Sequence, residues 1–152
     1  MTVQLMIRKA QITDLSDLVL IENTCFPTDK INKRQMRYMI TKAKCLLYVA
    51  YDKNTQTVLG YGLCFTPLNR KTARLYSLAV LPDYQGAHVA SNLLVELFKK
   101  LKEQGYEYCT LEVRSGHPNT QSLYHKFGFV DVKTIDNYYA DGESALRMRL
   151  VL

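Results

Sequence analysis

Several features that would place this chain in other classes of protein are absent from it. No run of apolar residues is long enough to cross a membrane, and the N-terminus has no charged start followed by an apolar stretch. The four cysteines include no Cys-x-x-Cys pair, which argues against a zinc site or a disulfide framework and fits a reducing compartment. No repeat, linker or low-complexity tract is present. We therefore expect one cytoplasmic domain that covers residues 1–152.

The lysines and arginines are dispersed rather than gathered into a stripe, although the chain has a formal charge of +6. Small clusters lie at 30–37, 69–74 and 99–102, and aromatic residues do not alternate with them. This arrangement disfavours a surface for single-stranded nucleic acid. Two interpretations remain open, which are a solvated basic surface and attraction to an anionic cofactor or an acidic partner.

The hydrophobic pattern predicts elements in the order β-α-α-β-β-β-α-β-α-β-β. Thr13 is the predicted cap of the first helix, and Gly60 and Gly62 are expected to mark a bulge. An antiparallel meander followed by βαβ crossovers implies an α/β (α+β) fold with a mixed, mostly antiparallel sheet flanked by helices. The predicted strands are Leu5–Lys9, Cys45–Tyr51, Thr57–Thr66, Arg74–Leu81, Tyr108–Arg114, Val130–Ile135 and Ala145–Val151, and the helices are Asp14–Cys25, Asn32–Ala43, the segment between Gly86 and Gly105, and Pro118–Phe127.

The segment from Leu75 to Leu101 is the most informative part of the sequence. Its apolar strand stops at Pro82, and after Gly86 apolar residues recur at helical spacing. A glycine-bearing loop that opens a helix leaves backbone N–H groups unpaired, and together with the helix dipole these groups attract phosphate. The segment therefore suggests a ligand that carries a pyrophosphate.

Five short segments, spread over nearly the whole chain, match one family in combination. They are Cys25-Phe26-Pro27, LAVLPDYQGAHVASNLL at 78–94, LEVR at 111–114, LYHKFGF at 123–129 and NYY at 137–139. With these segments the chain resembles the GNAT superfamily of acetyl-CoA-dependent N-acetyltransferases. Within that superfamily it is similar to the RimI-type enzymes, which acetylate the N-terminal amine of a ribosomal protein. The resemblance implies a GNAT fold in which a splayed pair of strands forms the acetyl-CoA cleft.

The resemblance also implies a set of cofactor contacts. The backbone of Leu78, Ala79 and Val80 would pair with the pantetheine arm as an added strand would. His88 stands where the family has glycine, so it could intrude on a phosphate or turn aside and donate a hydrogen bond to it. His117 stands where the family has asparagine, and it is either a cofactor contact or a simple loop residue. The remaining cofactor-binding residues would be Gln85, Gly86, Ala87, Val89, Ala90, Ser91, Asn119 and Tyr124.

Glu112 and Tyr124 carry the chemistry that the resemblance implies. Glu112 would be the general base that takes a proton from the amine, and Tyr124 the general acid that protonates the departing thiolate. Each residue has a structural alternative. Glu112 could be a surface carboxylate or form an ion pair, for example with Arg114, and Tyr124 could be a packed core aromatic. The scattered cysteines show no nucleophile paired with a base, so we expect direct attack by the amine.

The acceptor would lie between two walls that the resemblance implies. Phe26 and Pro27 would form one wall, and Tyr138 and Tyr139 the other, with Glu112 between them. The favoured acceptor is a protein or peptide N-terminus. Two alternatives stay open, which are a small-molecule amine such as a polyamine or aminoglycoside, and a non-catalytic module that holds coenzyme A. We expect no metal, no membrane contact and no direct nucleic-acid contact, and either a monomer or a homodimer.

Overall fold

The computed structural model describes residues 2–86 and 88–152. Each element lies within two residues of its predicted bounds, so the predicted element order is confirmed. None of the described helices is both long and apolar enough to span a membrane. In chain order the elements are β1 (Leu5–Lys9), α1 (Leu15–Cys25), α2 (Lys33–Thr41), β2 (Cys45–Asp52), β3 (Val58–Phe65), β4 (Thr72–Val80), α3 (Val89–Glu103), β5 (Tyr108–Arg114), α4 (Pro118–Lys126), β6 (Val130–Ile135) and β7 (Ala145–Val151).

The seven strands form one sheet in the order β1-β2-β3-β4-β5-β7-β6. All neighbouring strands are antiparallel except β4 and β5, which run parallel and are connected through α3. The mixed, mostly antiparallel sheet that the sequence predicts is therefore confirmed. The single parallel pair lies in the middle of the sheet.

Helices cover both faces of this sheet and bury a separate apolar cluster on each. Leu18 of α1 and Met36 of α2 are fully buried in one cluster. Leu97 of α3 belongs to the other cluster, on the opposite face. Cys64 and Cys109 lie in this second cluster with no exposed surface, as small core residues.

The parallel strands β4 and β5 pair over a short stretch and then diverge. Their register joins Thr72–Arg74 to Tyr108–Thr110 and goes no further. Beyond that point β4 stays paired with β3 as far as Val80, and β5 stays paired with β7 as far as Arg114. Each of the two strands therefore has one edge without a strand partner among the described residues. The predicted splayed pair is present, and a cleft opens between its arms.

The start of α1 differs from the prediction that Thr13 caps it. The Asp14 carboxylate instead accepts the backbone N–H of Gln11 at 2.7 Å, and Arg8 donates to both oxygens of the same carboxylate, at 2.7 and 2.9 Å. The reason is that a turn of 3₁₀ helix (Ile12–Asp14) precedes α1, so Thr13 lies inside this turn and Gln11 is at the cap position.

The bulges in β3 and β4 refine the expectation for the two glycines. One bulge lies beside Gly60, where Leu59 has no partner in the register with β2. The other lies in β4, where Tyr76 is skipped in the register with β3. Gly62 serves helix packing instead, because a Cβ atom there would lie 2.5 Å from the Leu97 side chain of α3.

Candidate active site

A cleft of about 770 Å³ fills the gap between the diverging arms of β4 and β5. The end of α1 and the loop after it close one side, and the start of α4 and the β6–β7 loop close the other. The predicted acid–base and acceptor residues therefore meet in one cavity with part of the predicted cofactor set, whereas Gly86, His88, Val89, Ala90, Ser91 and Asn119 do not line it. Those that line it are Phe26, Pro27, Leu78, Ala79, Val80, Gln85, Glu112, His117, Tyr124, Tyr138 and Tyr139.

The loop that opens α3 has the backbone form expected of an anion site. Gly86 and His88 both have left-handed backbones, with φ values of 88° and 60°. His88 therefore has a backbone conformation that favours glycine, and its side chain is exposed. The first helical hydrogen bond joins the Asn92 N–H to the His88 oxygen at 3.0 Å, which leaves the N–H groups of residues 89–91 ahead of it. Ala87 lies outside the described residues.

The residues around the start of α4 divide into two groups. His117 lines the cleft, and its backbone oxygen accepts a hydrogen bond from the N–H of Gln121 at 3.1 Å. Asn119 lies two residues further along the chain, is exposed, and does not line the cleft. Of the two residues predicted to contact the cofactor here, the structure brings only His117 to the cavity.

Tyr124 lies at the base of the cleft with its ring packed against Phe129, at a centroid distance of 5.6 Å. The residue is 7% exposed, and its hydroxyl forms no hydrogen bond within the described part of the chain. Burial raises the pKa of Tyr124 above the ordinary value, with smaller contributions from the nearby Cys64 and Cys109. The cleft thus contains a protonated phenol whose hydroxyl is not committed to the protein.

Glu112 lies on the wall of the cleft that β5 forms, and its side chain is 5% exposed. Arg74 forms an ion pair with one carboxylate oxygen at 2.5 Å, and Arg147 donates a hydrogen bond to the other at 3.1 Å. The hydroxyl of Tyr138 donates a further hydrogen bond at 3.2 Å. The predicted alternative of an ion pair is therefore correct, but the partner is not Arg114. Arg147 is the direct cross-strand neighbour of Glu112 in β7, whereas Arg114 is turned toward the mouth of the cleft.

Glu22 is a second buried carboxylate of the cleft, and the sequence interpretation did not single it out. It is 1% exposed and lines the same cavity. Tyr61 donates to Oε1, the Ile31 N–H donates to Oε2 at 2.8 Å, and the Ser77 hydroxyl lies 3.5 Å from Oε1. The available signal was a carboxylate on the apolar face of α1, one turn after the buried Leu18.

Acidic side chains gather at the mouth of the cleft around Arg114. Its guanidinium donates to Asp141 and to Glu143, each at 2.9 Å, and it also contacts Thr28 and Asp29 at 3.1 and 3.5 Å. Hydrogen bonds from the Glu143 N–H and from Arg114 lower the pKa of Asp141, and Arg114 is the main cause that lowers the pKa of Glu143. We call these four charged residues the acidic rim, since three carboxylates surround one cation.

Residues 11–152 match the family described as the acetyltransferase (GNAT) domain. This chain belongs to the GNAT family. The match includes the whole cleft, from the end of α1 to the β6–β7 loop. Both strands of the splayed parallel pair therefore lie within the matched GNAT domain.

Known acetyltransferases are similar to this GNAT domain over different lengths. An N-alpha-acetyltransferase of Sulfurisphaera tokodaii is 29% identical over 93% of this chain and 90% of that protein. A ribosomal protein bS18-alanine N-acetyltransferase of Haemophilus influenzae is 39% identical over 54% of each protein. The alignments span 54% to 60% of the length of two of the curated relatives that the chain matches. The ribosomal-protein-S18-alanine N-acetyltransferase of Escherichia coli superposes with a TM-score of 0.86 and 25% identity, over 97% of this chain and 94% of that one.

Proposed function

We propose that this GNAT domain is an acetyl-CoA-dependent N-acetyltransferase that acts on a primary amine, with a protein N-terminal α-amine as the favoured acceptor. The observation that carries the proposal is the cleft between β4 and β5, which contains both an uncommitted phenol and buried carboxylates. The names of the relatives support the choice of acceptor, because they describe N-alpha-acetyltransferases and enzymes that modify ribosomal protein bS18.

The residues present fit acetyl-CoA as the donor. Leu78–Val80 line the cleft along the edge of β4 that has no strand partner, and that edge is available to an extended pantetheine arm. The N–H groups of residues 89–91 and the left-handed backbone of His88 offer donors to a pyrophosphate at the positive end of α3. When bound, acetyl-CoA supplies the acetyl thioester that the amine attacks.

Tyr124 is the proposed general acid. Its hydroxyl makes no hydrogen bond to the described protein, so it is available to the leaving thiolate. Its raised pKa keeps the phenol protonated at neutral pH, which is the form that a proton donor requires. The alternative of a core aromatic accounts for the ring, which packs on Phe129, but not for the hydroxyl.

The acceptor reaches the cleft as an ammonium group and must lose a proton before it can attack, and we propose that a carboxylate of the cleft takes that proton. The family resemblance implies this role for Glu112. Phe26 and Pro27 on one side, with Tyr138 and Tyr139 on the other, are the proposed walls that hold the chain behind the amine.

A small cationic amine is the second candidate acceptor, and the acidic rim is the observation that favours it. Asp29, Asp141 and Glu143 together exceed the single charge of Arg114, so the rim attracts polyamines as well as N-terminal ammonium groups. A non-catalytic module is less well supported, because coenzyme A binding alone does not require a Tyr124 hydroxyl without a hydrogen bond to the protein at the base of the cleft.

The test measures thiol release from acetyl-CoA with two panels of acceptors, and mass spectrometry locates the acetyl group. One panel contains peptides with free N-termini, and the other contains polyamines and aminoglycosides. We expect turnover on peptides, blocked when the same peptide is N-terminally acetylated beforehand. Turnover on small amines alone would show that the acceptor is a small amine and not a protein N-terminus. Coenzyme A binding without turnover on either panel would instead support the binding module.

A further inference from the structure

The cleft holds two buried carboxylates that differ in their charge surroundings. Glu112 is paired with two arginines, Arg74 and Arg147, so this group carries one net positive charge. Glu22 forms no ion pair with a lysine, arginine or histidine of the described residues. A cationic ligand that enters the cleft is repelled at the first carboxylate and attracted at the second.

The hydrogen-bond partners of Glu22 do not supply a counter-charge. Tyr61, Ser77 and the Ile31 N–H are all neutral donors. A carboxylate has about four acceptor positions, so these three contacts leave room for a further donor. Burying a charge with no cation beside it is costly, and an arriving ammonium group would offset that cost.

We propose that Glu22, rather than Glu112, binds the ammonium group of the acceptor and takes its proton. This inference rests on the proposed acetyl transfer. The N–H bond of the ammonium breaks, the electron pair stays on nitrogen, and an O–H bond forms on Glu22, which later releases its proton to water. The second proton that the amine loses on becoming an amide replaces the one that Tyr124 gives to the departing thiolate. Arg74 and Arg147 stay paired with Glu112, which forms a wall of the site.

The titratable groups that face Glu22 do not compete for this role. Burial, and then the charge of Glu22, raises the pKa of Tyr61, so its phenol stays protonated and donates to the carboxylate. Burial also raises the pKa of Cys25, which lies one turn further along α1, and its thiol contacts the Val80 oxygen at 3.4 Å. Both groups are neutral near pH 7, so neither provides a second base beside the carboxylate. Ser77 lies on β4 within 2.8 Å of the Tyr61 oxygen and can pass the proton from the cleft.

The deciding experiment compares E22Q with the matched variant E112Q. We expect E22Q to lower kcat by about 10²–10⁴-fold at pH 7, the usual size of a general-base contribution. The loss should shrink as the pH rises toward about 8, near the α-amine pKa, because more of the acceptor then arrives uncharged. E112Q should show no such recovery with pH. A residue that only supports the fold would lower the rate equally at every pH.

A binding measurement separates ammonium recognition from turnover. Calorimetry with coenzyme A present compares one peptide with a free N-terminus and the same peptide acetylated. The wild type and E112Q should prefer the free amine, and E22Q should lose that preference. The variant Y61F keeps the carboxylate and removes one donor, so it should retain the preference. If E22Q does not fold, E22D replaces it in the experiment. E22D keeps the carboxylate, so it should still prefer the free amine over the acetylated peptide, while its kcat should be lower.

Two results would overturn the inference. One is E22Q with the pH profile and amine preference of the wild type, and the other is a pH-recoverable loss in E112Q instead. Wild-type turnover is measured first, which separates the two levels of the argument. Its absence on every peptide and small amine would overturn the proposed function and the role of Glu22 with it. Turnover that E22Q leaves unchanged would overturn the role of Glu22 alone.

Discussion

The guanidinium carbon of Arg114 lies 4.1 Å from the centre of the Tyr139 ring. The same guanidinium donates to Thr28 on the opposite side of the cleft at 3.1 Å, so one side chain joins the two proposed walls of the acceptor groove. We expect R114A to raise KM for a peptide about 10-fold or more, since charge-assisted hydrogen bonds that order both loops are lost. The KM for acetyl-CoA should change little, because the proposed donor contacts lie on β4 and α3. Steady-state kinetics with each substrate varied in turn measures both values.

Arg149 provides the matched control for this prediction. It stacks on Tyr108 at 4.9 Å on the same sheet but does not line the cleft. R149A should leave both KM values unchanged. An equal rise in both KM values for R114A would contradict a joining role between the walls and would indicate a general loss of structure.

The Tyr124 hydroxyl should matter for rate and not for stability. Y124F removes a group with no hydrogen bond to the described protein, so the free energy of unfolding should change by less than about 1 kcal/mol. The kcat should fall by about 10²–10⁴-fold if the phenol is the general acid. Urea unfolding and the thiol-release assay on the same preparation measure the two effects. A wild-type rate in Y124F would remove Tyr124 from that role.

The pH dependence of the wild type gives a second check on Tyr124. A general acid is active in its protonated form, so activity is lost as the pH rises through its pKa. Burial raises the pKa of Tyr124 above the ordinary value of 10.0. We therefore expect kcat to show no alkaline loss from this group up to about pH 9.5. A fall in kcat at lower pH that Y124F abolishes would show that the phenol ionises earlier.

The elements of this fold could be predicted because its periodicity is local, whereas the partners of Glu112 depend on register. Arg147 meets Glu112 only because β7 pairs with β5 in one particular alignment, and Arg74 reaches it from the neighbouring parallel strand. Alternation in the β7 sequence does place Arg147 and Arg149 on the same face. The sequence alone does not show which strand pairs with β7, and so it does not show that Arg147 lies opposite Glu112.

The role of Glu22 was hidden by a different cause. A single carboxylate on an otherwise apolar helix face has no visible partner in the sequence, and its donors come from three separate elements. Tyr61 lies 39 positions away, Ser77 lies 55 positions away, and the Ile31 N–H belongs to the loop between α1 and α2. Only the folded chain brings these donors together around one buried charge.

Asp14 should make the fold sensitive to acid. Burial of this carboxylate opposes its charge, but hydrogen bonds from Arg8 and the Gln11 N–H outweigh that effect and hold the pKa of Asp14 below its usual value. Its stabilising contribution is therefore fully present above about pH 5 and is lost as the pH falls through the lowered folded-state pKa. D14N should cost about 1–3 kcal/mol of unfolding free energy at pH 7, and the difference from wild type should narrow toward pH 3.

Urea titrations at both pH values measure this difference, and D136N serves as the control. Asp136 is exposed in the turn after β6, so its replacement should change the unfolding free energy by less than about 0.5 kcal/mol at either pH. A loss in D14N that stays the same from pH 7 to pH 3 would mean that its packing, and not its charge, stabilises the start of α1.

His88 allows its backbone and its imidazole to be tested separately. Its φ of 60° suits glycine, while its exposed ring could either obstruct a phosphate or donate to it. H88G keeps the left-handed backbone and removes the ring, whereas H88A removes the ring but keeps a Cβ in that strained conformation.

If the ring obstructs a phosphate, both variants should bind coenzyme A more tightly than the wild type, and H88G should bind it most tightly. If the ring donates, both should bind more weakly. Calorimetry with coenzyme A separates the two cases by the direction of the change in affinity. Equal affinity in all three proteins would show that the pyrophosphate does not approach His88.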